Sequence, residues 1–181
     1  MSEELEVLKM VTGRLDGAGI PYMATGSIAV NFYAVPRMTR DIDLVVELSA
    51  RDADRIVSLF QPDYYLDRDM VAQAIAERGM FNLVHTRFVI KVDMVVRKDT
   101  DYRRTEFSRR RAVTVEGHPL FLVAPEDLIL SKLIWAKDSR SEVQLTDVRN
   151  VLASVEKLDR DYLETWAHRL SVESLYREVT A

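Results

Sequence analysis

Three aspartates and a Gly-Ser pair carry the chemistry that this chain's spacing suggests. Asp41 and Asp43 flank Ile42 in the run Asp41 to Leu48, where Asp41, Asp43, Val45 and Glu47 alternate with Ile42, Leu44, Val46 and Leu48. On an extended strand the two carboxylates share a face about 6–7 Å apart and repel each other unless a cation lies between them. Oxygen ligands of this kind suit a hard divalent ion, Mg²⁺ above all. Asp93 stands inside the apolar run Val92-Asp93-Met94-Val95-Val96, where an unpaired carboxylate is costly and must find a cation or a donor. If its strand lies beside the first, three carboxylates meet as metal ligands. Such a site suits two-metal phosphoryl chemistry: the metals bridge a triphosphate, activate an attacking hydroxyl and stabilise the departing pyrophosphate. Upstream, Gly26-Ser27 falls where a short apolar stretch gives way to a helix, so backbone N–H groups and the Ser27 hydroxyl can point at a phosphate. The plainer readings are a solvated strand face for Asp41 and Asp43, and an ion pair with Lys91 or an arginine for Asp93.

The elements that must position these residues follow from periodicity. Glu4 to Leu15 has helical spacing of Leu5, Leu8, Val11 and Leu15 and stops at the Gly17, Gly19, Pro21 cluster. Tyr22 to Thr25 reads as a strand, Ile28 to Ala34 as a short helix and Asp41 to Leu48 as a strand. Ala50 to Phe60 and Arg68 to Arg78 read as helices parted by Gln61-Pro62-Asp63, and Phe81 to Thr86 with Phe88 to Arg97 as a hairpin turning near Arg87. Asp101 to Arg110 is a short polar helix or loop, and Ala112 to Val115 pairs with Leu120 to Val123 around Glu116-Gly117-His118-Pro119. From Pro125 onward the pattern is helical: Glu126 to Lys137, Val143 to Val155, Asp159 to Arg169 and Val172 to Arg177. The expected class is α/β (α+β), a single domain with an α/β core over 1–124 and a helical C-terminal subdomain over 125–181.

Composition narrows the function classes. The chain has 181 residues, 48% hydrophobic and 30% charged, the balance of a folded domain with a real core. It has no cysteine, which excludes disulfides, thiolate zinc, iron–sulfur clusters and a cysteine nucleophile. The start MSEELEVLKM lacks the basic and apolar regions of a signal peptide, and no apolar run is long enough to span a membrane. A cytoplasmic address is the expectation.

The stretch Thr25-Gly26-Ser27-Ile28-Ala29-Val30 through Pro36-Arg37-Met38-Thr39-Arg40-Asp41-Ile42-Asp43 resembles the signature of the polymerase-beta-like nucleotidyltransferases, in their small prokaryotic branches. The Arg-x-Thr-x-Asp-Ile-Asp ending, with its long gap after Gly-Ser, is most similar to the abortive-infection toxin type and its uncharacterised relatives. Pro125-Glu126-Asp127-Leu128 with Lys132, and Thr146-Asp147-Val148-Arg149, are similar too. The resemblance spans about residues 22–152 and implies a mixed sheet flanked by helices that moves an NMP from an NTP to a hydroxyl acceptor, an RNA or tRNA end or a protein. It implies Gly26 and Ser27 on the triphosphate, Asp41 and Asp43 on metal, Asp93 as the third acid, Lys132 on phosphate, and Asp147 orienting Lys132 or the acceptor. It also implies a possible toxin–antitoxin role with a cognate toxin or antitoxin partner. Val30 stands where an arginine-glycine pair is common, so the base preference is open. Arg37 and Arg40 either contact triphosphate or pair with Asp41 and Asp43.

Other features compete for attention. Residues 97–111 hold seven basic and three acidic residues with Tyr102 and Phe107 interleaved, either an RNA-binding surface or a solvated helix. His85, His118 and His168 lack ligand spacing and read as structural or surface residues. Met23, Met80 and Met94 read as core filler, and Trp135 and Trp166 as packing residues of the C-terminal helices. A non-catalytic nucleotidyltransferase-fold binding or antitoxin module is the alternative to an enzyme.

Overall fold

The computed structural model describes residues 2–39 and 41–181. Arg40, one of the two expected phosphate-contacting arginines, lies outside the described residues. In chain order the elements are α1 (Glu3–Gly17), β1 (Tyr22–Thr25), α2 (Gly26–Tyr33), β2 (Asp41–Val46), α3 (Ala53–Phe60), β3 (Tyr64–Tyr65), α4 (Arg68–Glu77), β4 (Met80–His85), β5 (Lys91–Val96), α5 (Asp101–Ser108), β6 (Arg111–Val115), β7 (His118–Leu122), α6 (Pro125–Ser139), α7 (Glu142–Ser154), α8 (Arg160–Arg169) and α9 (Glu173–Thr180).

The strands form one mixed sheet in the order β3-β4-β5-β2-β1-β7-β6. Its centre fixes the site. β2 pairs antiparallel with β1, and parallel with β5 in a register that sets Asp41 opposite Lys91, Asp43 opposite Asp93 and Val45 opposite Val95. Side chains alternate across a pleat, so Ile42, Leu44 and Val46 with Val92, Met94 and Val96 fill the core while the charged residues share the other face. α2 packs on β1 and β2 and against α6 and α7, which brings the C-terminal helices over that charged face.

Local signals account for the boundaries. Ser2 caps α1 by accepting from the Leu5 N–H, and Thr100 caps α5 through Arg103 N–H. Pro125 opens α6 at a position where its missing N–H costs nothing. His85 shapes the β4–β5 turn: its Nδ1 accepts from the backbone N–H groups of Arg87 and Phe88, 3.2 Å each. His118 meets the Thr12 hydroxyl at 2.9 Å and His168 lies exposed beside Glu173, so the histidines hold structural and surface places.

Two packing expectations are overturned. Met80 is 53% exposed and Trp135 is 71% exposed, whereas Met23, Met94 and Trp166 are buried. α6 is buried from Pro125 to Leu133 and again at Ala136, but Trp135 lies on the side of the helix that lines the cavity beside the sheet. The two-residue strand β3 was not expected. Its Tyr64 is buried against Phe60 and His85 in edge-to-face contacts.

Candidate active site

A cavity of about 340 Å³ lies between the charged sheet face and α6, and of the sequence-predicted residues Asp41, Asp93, Arg37 and Asp147 are not among those that line it. Gly26, Ser27, Asp43 and Lys132 line it directly. Gly26 adopts φ +60, and a Cβ there would lie 1.9 Å from Asp43 Oδ2. Glycine is therefore required twice, for the left-handed backbone and for room. The contact binds the start of α2 to the acidic strand, so the helix N-terminus and the carboxylate occupy the same corner.

The carboxylates are in contrasting environments. Asp41 is exposed, Asp43 is half-buried and Asp93 is 8% exposed. Burial first, then the like charges of Asp93 and Asp41, push the Asp43 carboxyl above its ordinary range, against the opposing pull of Lys132 and Lys91. Asp93 Oδ2 accepts from Lys91 Nζ at 2.9 Å, while its Oδ1 is buried with no hydrogen-bond partner among the described residues. Lys91 Nζ also stands 3.7 Å from Asp41 Oδ1. The ion pair weighed for Asp93 is thus present. Among the described residues no group of three or more Asp, Glu, His or Cys is drawn together as a metal-ligand set, and between Asp41 and Asp93 the ammonium of Lys91 takes the bridging place. An orphaned buried carboxylate oxygen opposite a second carboxylate strained by burial is nonetheless a donor set short of a cation, and its oxygens fit Mg²⁺.

A second group of predicted residues forms a continuous chain. The Arg37 guanidinium donates to Ser27 Oγ at 2.8 Å and grips both oxygens of Asp147 at 3.0 and 2.9 Å. Asp147 Oδ2 also accepts from Lys132 Nζ at 2.8 Å, and Lys132 donates to Gln144 Oε1 at 2.9 Å. Asn31 fixes Arg37 by bonding both its backbone N–H and its C=O. Burial pushes the Asp147 carboxyl up, but the hydrogen bonds from Arg37 and Lys132 outweigh this and leave it below the usual carboxylate range. Arg37 therefore reaches Ser27 and Asp147, and its ion-pair partner is Asp147 rather than Asp41 or Asp43. Sequence reasoning gave no site role to Asn31, Gln144 or Trp135. The signal for Lys91 was its shared parity with Asp93.

The arginine-rich segment is not an open nucleic-acid surface. Tyr102 and Phe107 are buried and cannot stack bases. Arg109 donates to Asp127 at 2.8 Å and Glu126 at 3.1 Å and lies 3.9 Å over the Tyr162 ring. Arg103 binds the buried Glu106 and Ser131 at the cavity wall, and Arg97 and Arg104 pair with Glu47, Asp99 and Asp101. The local positive excess is largely spent on internal acids, including the Glu126-Asp127 pair of the Pro-Glu-Asp-Leu motif.

No helix among the described residues is long and apolar enough to cross a membrane. No protein-family model matches the chain, and no curated protein matches its sequence. Solved structures do match its shape. ANT(2'')-Ia, in complex with adenylyl-2''-tobramycin, aligns with TM-score 0.59 at 13% identity over 99% of this chain and 100% of its own. The lincosamide antibiotic adenylyltransferase LnuA, lincomycin-bound, aligns with TM-score 0.57 at 11% identity over 86% and 99%. An antigenic nucleotidyltransferase-like protein from Paracoccidioides brasiliensis aligns with TM-score 0.57 at 18% identity over 97% and 91%. With its mixed sheet, its flanking helices and these neighbours, the chain has the nucleotidyltransferase fold.

Proposed function

We propose that this protein is a Mg²⁺-dependent nucleotidyltransferase that moves an NMP from an NTP to a hydroxyl acceptor. The observation that carries the reading is the placement of Asp43 opposite Asp93, at a cavity whose wall begins with a glycine that tolerates no side chain. The start of α2 offers Gly26 and Ser27 to the triphosphate, with Arg37 and Lys132 supplying positive charge beside them. Asp43 and Asp93 would hold the metal, joined by Asp41 once Lys91 gives way. When bound, the ion would neutralise the phosphates and polarise the reacting phosphorus. Asp93 Oδ1, which has no hydrogen-bond partner among the described residues, would take the proton once Lys91 yields Oδ2 to the metal. The acceptor hydroxyl oxygen bonds the α-phosphorus, the bond from that phosphorus to the bridging oxygen breaks, and pyrophosphate leaves with the electron pair. Asp147 holds Lys132 and Arg37 in place.

An RNA end or a protein side chain is the acceptor implied by the sequence resemblance. The closed-off arginine segment weighs against a long RNA track, and the antibiotic acceptors named for the neighbours add small hydroxylated molecules to the candidates. The test incubates the protein with each α-labelled NTP and Mg²⁺ against total RNA, a protein extract and a panel of hydroxylated small molecules, comparing wild type with Asp43→Ala. Labelling is expected that needs both the metal and Asp43; none with any NTP would sink the proposal. A toxin–antitoxin role is the finer expectation. It predicts growth arrest on expression of wild type but not of Asp43→Ala, relieved by a cognate partner.

One observation favours a second reading, a non-catalytic binding or antitoxin module: Lys91 already bridges Asp41 and Asp93. That reading predicts thermal stabilisation by Mg²⁺ and NTP without turnover.

A further inference from the structure

Resting on the transferase reading, we propose that Trp135 is the platform on which the nucleobase of the NTP stacks, with Gln144 addressing the base edge. Trp135 lines the cavity, yet 71% of its surface is exposed. An indole left 71% exposed at the rim of the cavity is large apolar area open to water, whereas Trp166, the other tryptophan, packs on Tyr102 and Tyr162.

The position is set by α6. Leu128, Ser131, Lys132 and Trp135 follow the i, i+3, i+4, i+7 stripe and all face the cavity, a span of about 10 Å at the helical rise. Lys132 sits within the stripe, near enough to oppose the charge of Asp43. One direction from it, the wall is charged: Ser131, Glu106 and Arg103 are bound to one another. In the other direction, one turn on, the wall is the indole and the carboxamide of Gln144. Gln144 Oε1 is taken by Lys132 Nζ at 2.9 Å, which leaves its amide N–H groups with no protein acceptor among the described residues. An uncharged aromatic plane beside an amide donor suits a flat heterocycle with acceptors on its edge and does nothing for a phosphate. A nucleotide with its phosphates by Ser27 and Lys132 therefore has its base on Trp135, leaving the charged end to the acceptor.

Two tryptophans of opposite exposure make the test direct. Mg²⁺ and each NTP are titrated into wild type, Trp135→Phe, Trp135→Ala and Trp166→Phe, following intrinsic fluorescence and, independently, the thermal midpoint. Inorganic tripolyphosphate serves as a ligand without a base. Quenching is expected in wild type and Trp166→Phe and absent from Trp135→Phe. The Kd for NTP should weaken about 5- to 100-fold in Trp135→Ala, as expected for loss of one stacked base, and change little in Trp135→Phe. Tripolyphosphate affinity should be the same in all four proteins. Thermal stabilisation by NTP with no quenching and an unchanged Kd in Trp135→Ala would overturn the inference and leave the transferase reading standing. Equal losses for NTP and tripolyphosphate would also overturn it, because Trp135 would then be acting through the fold. Failure of wild type to bind any NTP or tripolyphosphate would remove both readings together.

Discussion

Asp147 shows how one buried charge organises the candidate site. Its two oxygens hold Arg37 and Lys132, and through Arg37 they reach Ser27. Lys132 is 4% exposed, so Asp147→Asn would leave a buried ammonium facing a neutral amide. Breaking a buried pair in this way costs roughly 3–5 kcal/mol. For a chain of this size that is a fall in Tm of roughly 6–20 °C, with the Arg37 half discounted for its exposure. The pH dependence has a definite sign. Asp147 titrates below its ordinary value of 3.8 in the fold, so its contribution is complete above that value and is lost as pH falls through the lower folded one. The Tm gap between wild type and variant should stay constant from pH 7 to about 5 and close at lower pH; a gap that persists unchanged in strong acid would refute the assignment. At this scale the sequence was partly legible. Asp41 and Asp43 announce themselves by alternation, and Gly26 by its place before a helix. The contact of Gly26 with Asp43, the Lys91 bridge and the Asp147 chain join residues far apart in sequence, and no local pattern reports them. Trp135 was misread because the apolar residues before it on α6 are all core.

Among the elements, α5 departs furthest from what its composition suggested. Its sequence is polar and basic, yet Tyr102, Glu106 and Phe107 turn inward and Arg109, at its C-terminus, joins α6 to α8. The acids it serves, Glu126 and Asp127, lie in the first turn of α6, where the sequence offered them as part of the Pro125-Glu126-Asp127-Leu128 motif without naming a partner. Both are almost wholly buried, and burial pushes the Asp127 carboxyl up despite the hydrogen bonds from Tyr162 and Arg109. Arg109 is thus a keystone and Arg104, half-exposed on the same element, is not. Arg109→Ala should lower Tm by on the order of 10 °C, because it takes the close guanidinium from two buried carboxylates and leaves Asp127 only the Tyr162 hydroxyl and Glu126 the more distant Arg111 and the Asp159 N–H. Arg104→Ala should leave Tm close to that of wild type, as surface changes usually do. Paired thermal melts decide this, and equal effects from the two substitutions would return the segment to the status of a solvated helix. The strands other than β3 were readable to within three residues at each end, and alternation fixes which side of β2 and β5 is core. What alternation cannot supply is that β2 and β5 are neighbours, which depends on pairing across about fifty positions.

For the whole molecule, the expectation of an α/β core over 1–124 with a helical subdomain over 125–181 raises the question of whether the parts are separable. The boundary passes through continuous packing. Across it the Tyr102 hydroxyl donates to the Asp127 C=O at 3.3 Å, and Arg109 Nε donates to Asp127 Oδ2 at 2.8 Å. Leu128, Ile129, Leu130 and Leu133 of α6 are all at or below 1% exposure and belong to the same hydrophobic cluster as Ile42 and Leu44 of β2. Lys132 and Asp147, both on the C-terminal helices, close on Ser27 through Arg37, so the site itself spans the boundary. Removing 125–181 would expose that cluster to water at about 25 cal/mol per Å² of apolar surface, a loss that no contact within 1–124 replaces. The two segments should therefore unfold together. Scanning calorimetry is expected to show one transition whose calorimetric and van't Hoff enthalpies agree, with an enthalpy on the order of 125 kcal/mol near 60 °C from the usual value per residue. Mg²⁺ with NTP at about 100 times Kd should move that whole transition upward by about 2.7 kcal/mol of stability. Two resolved transitions, with only the earlier or the later responding to nucleotide, would mean that the helices past Val123 are a separate folding unit and that Lys132 and Asp147 are docked onto the site rather than built into it.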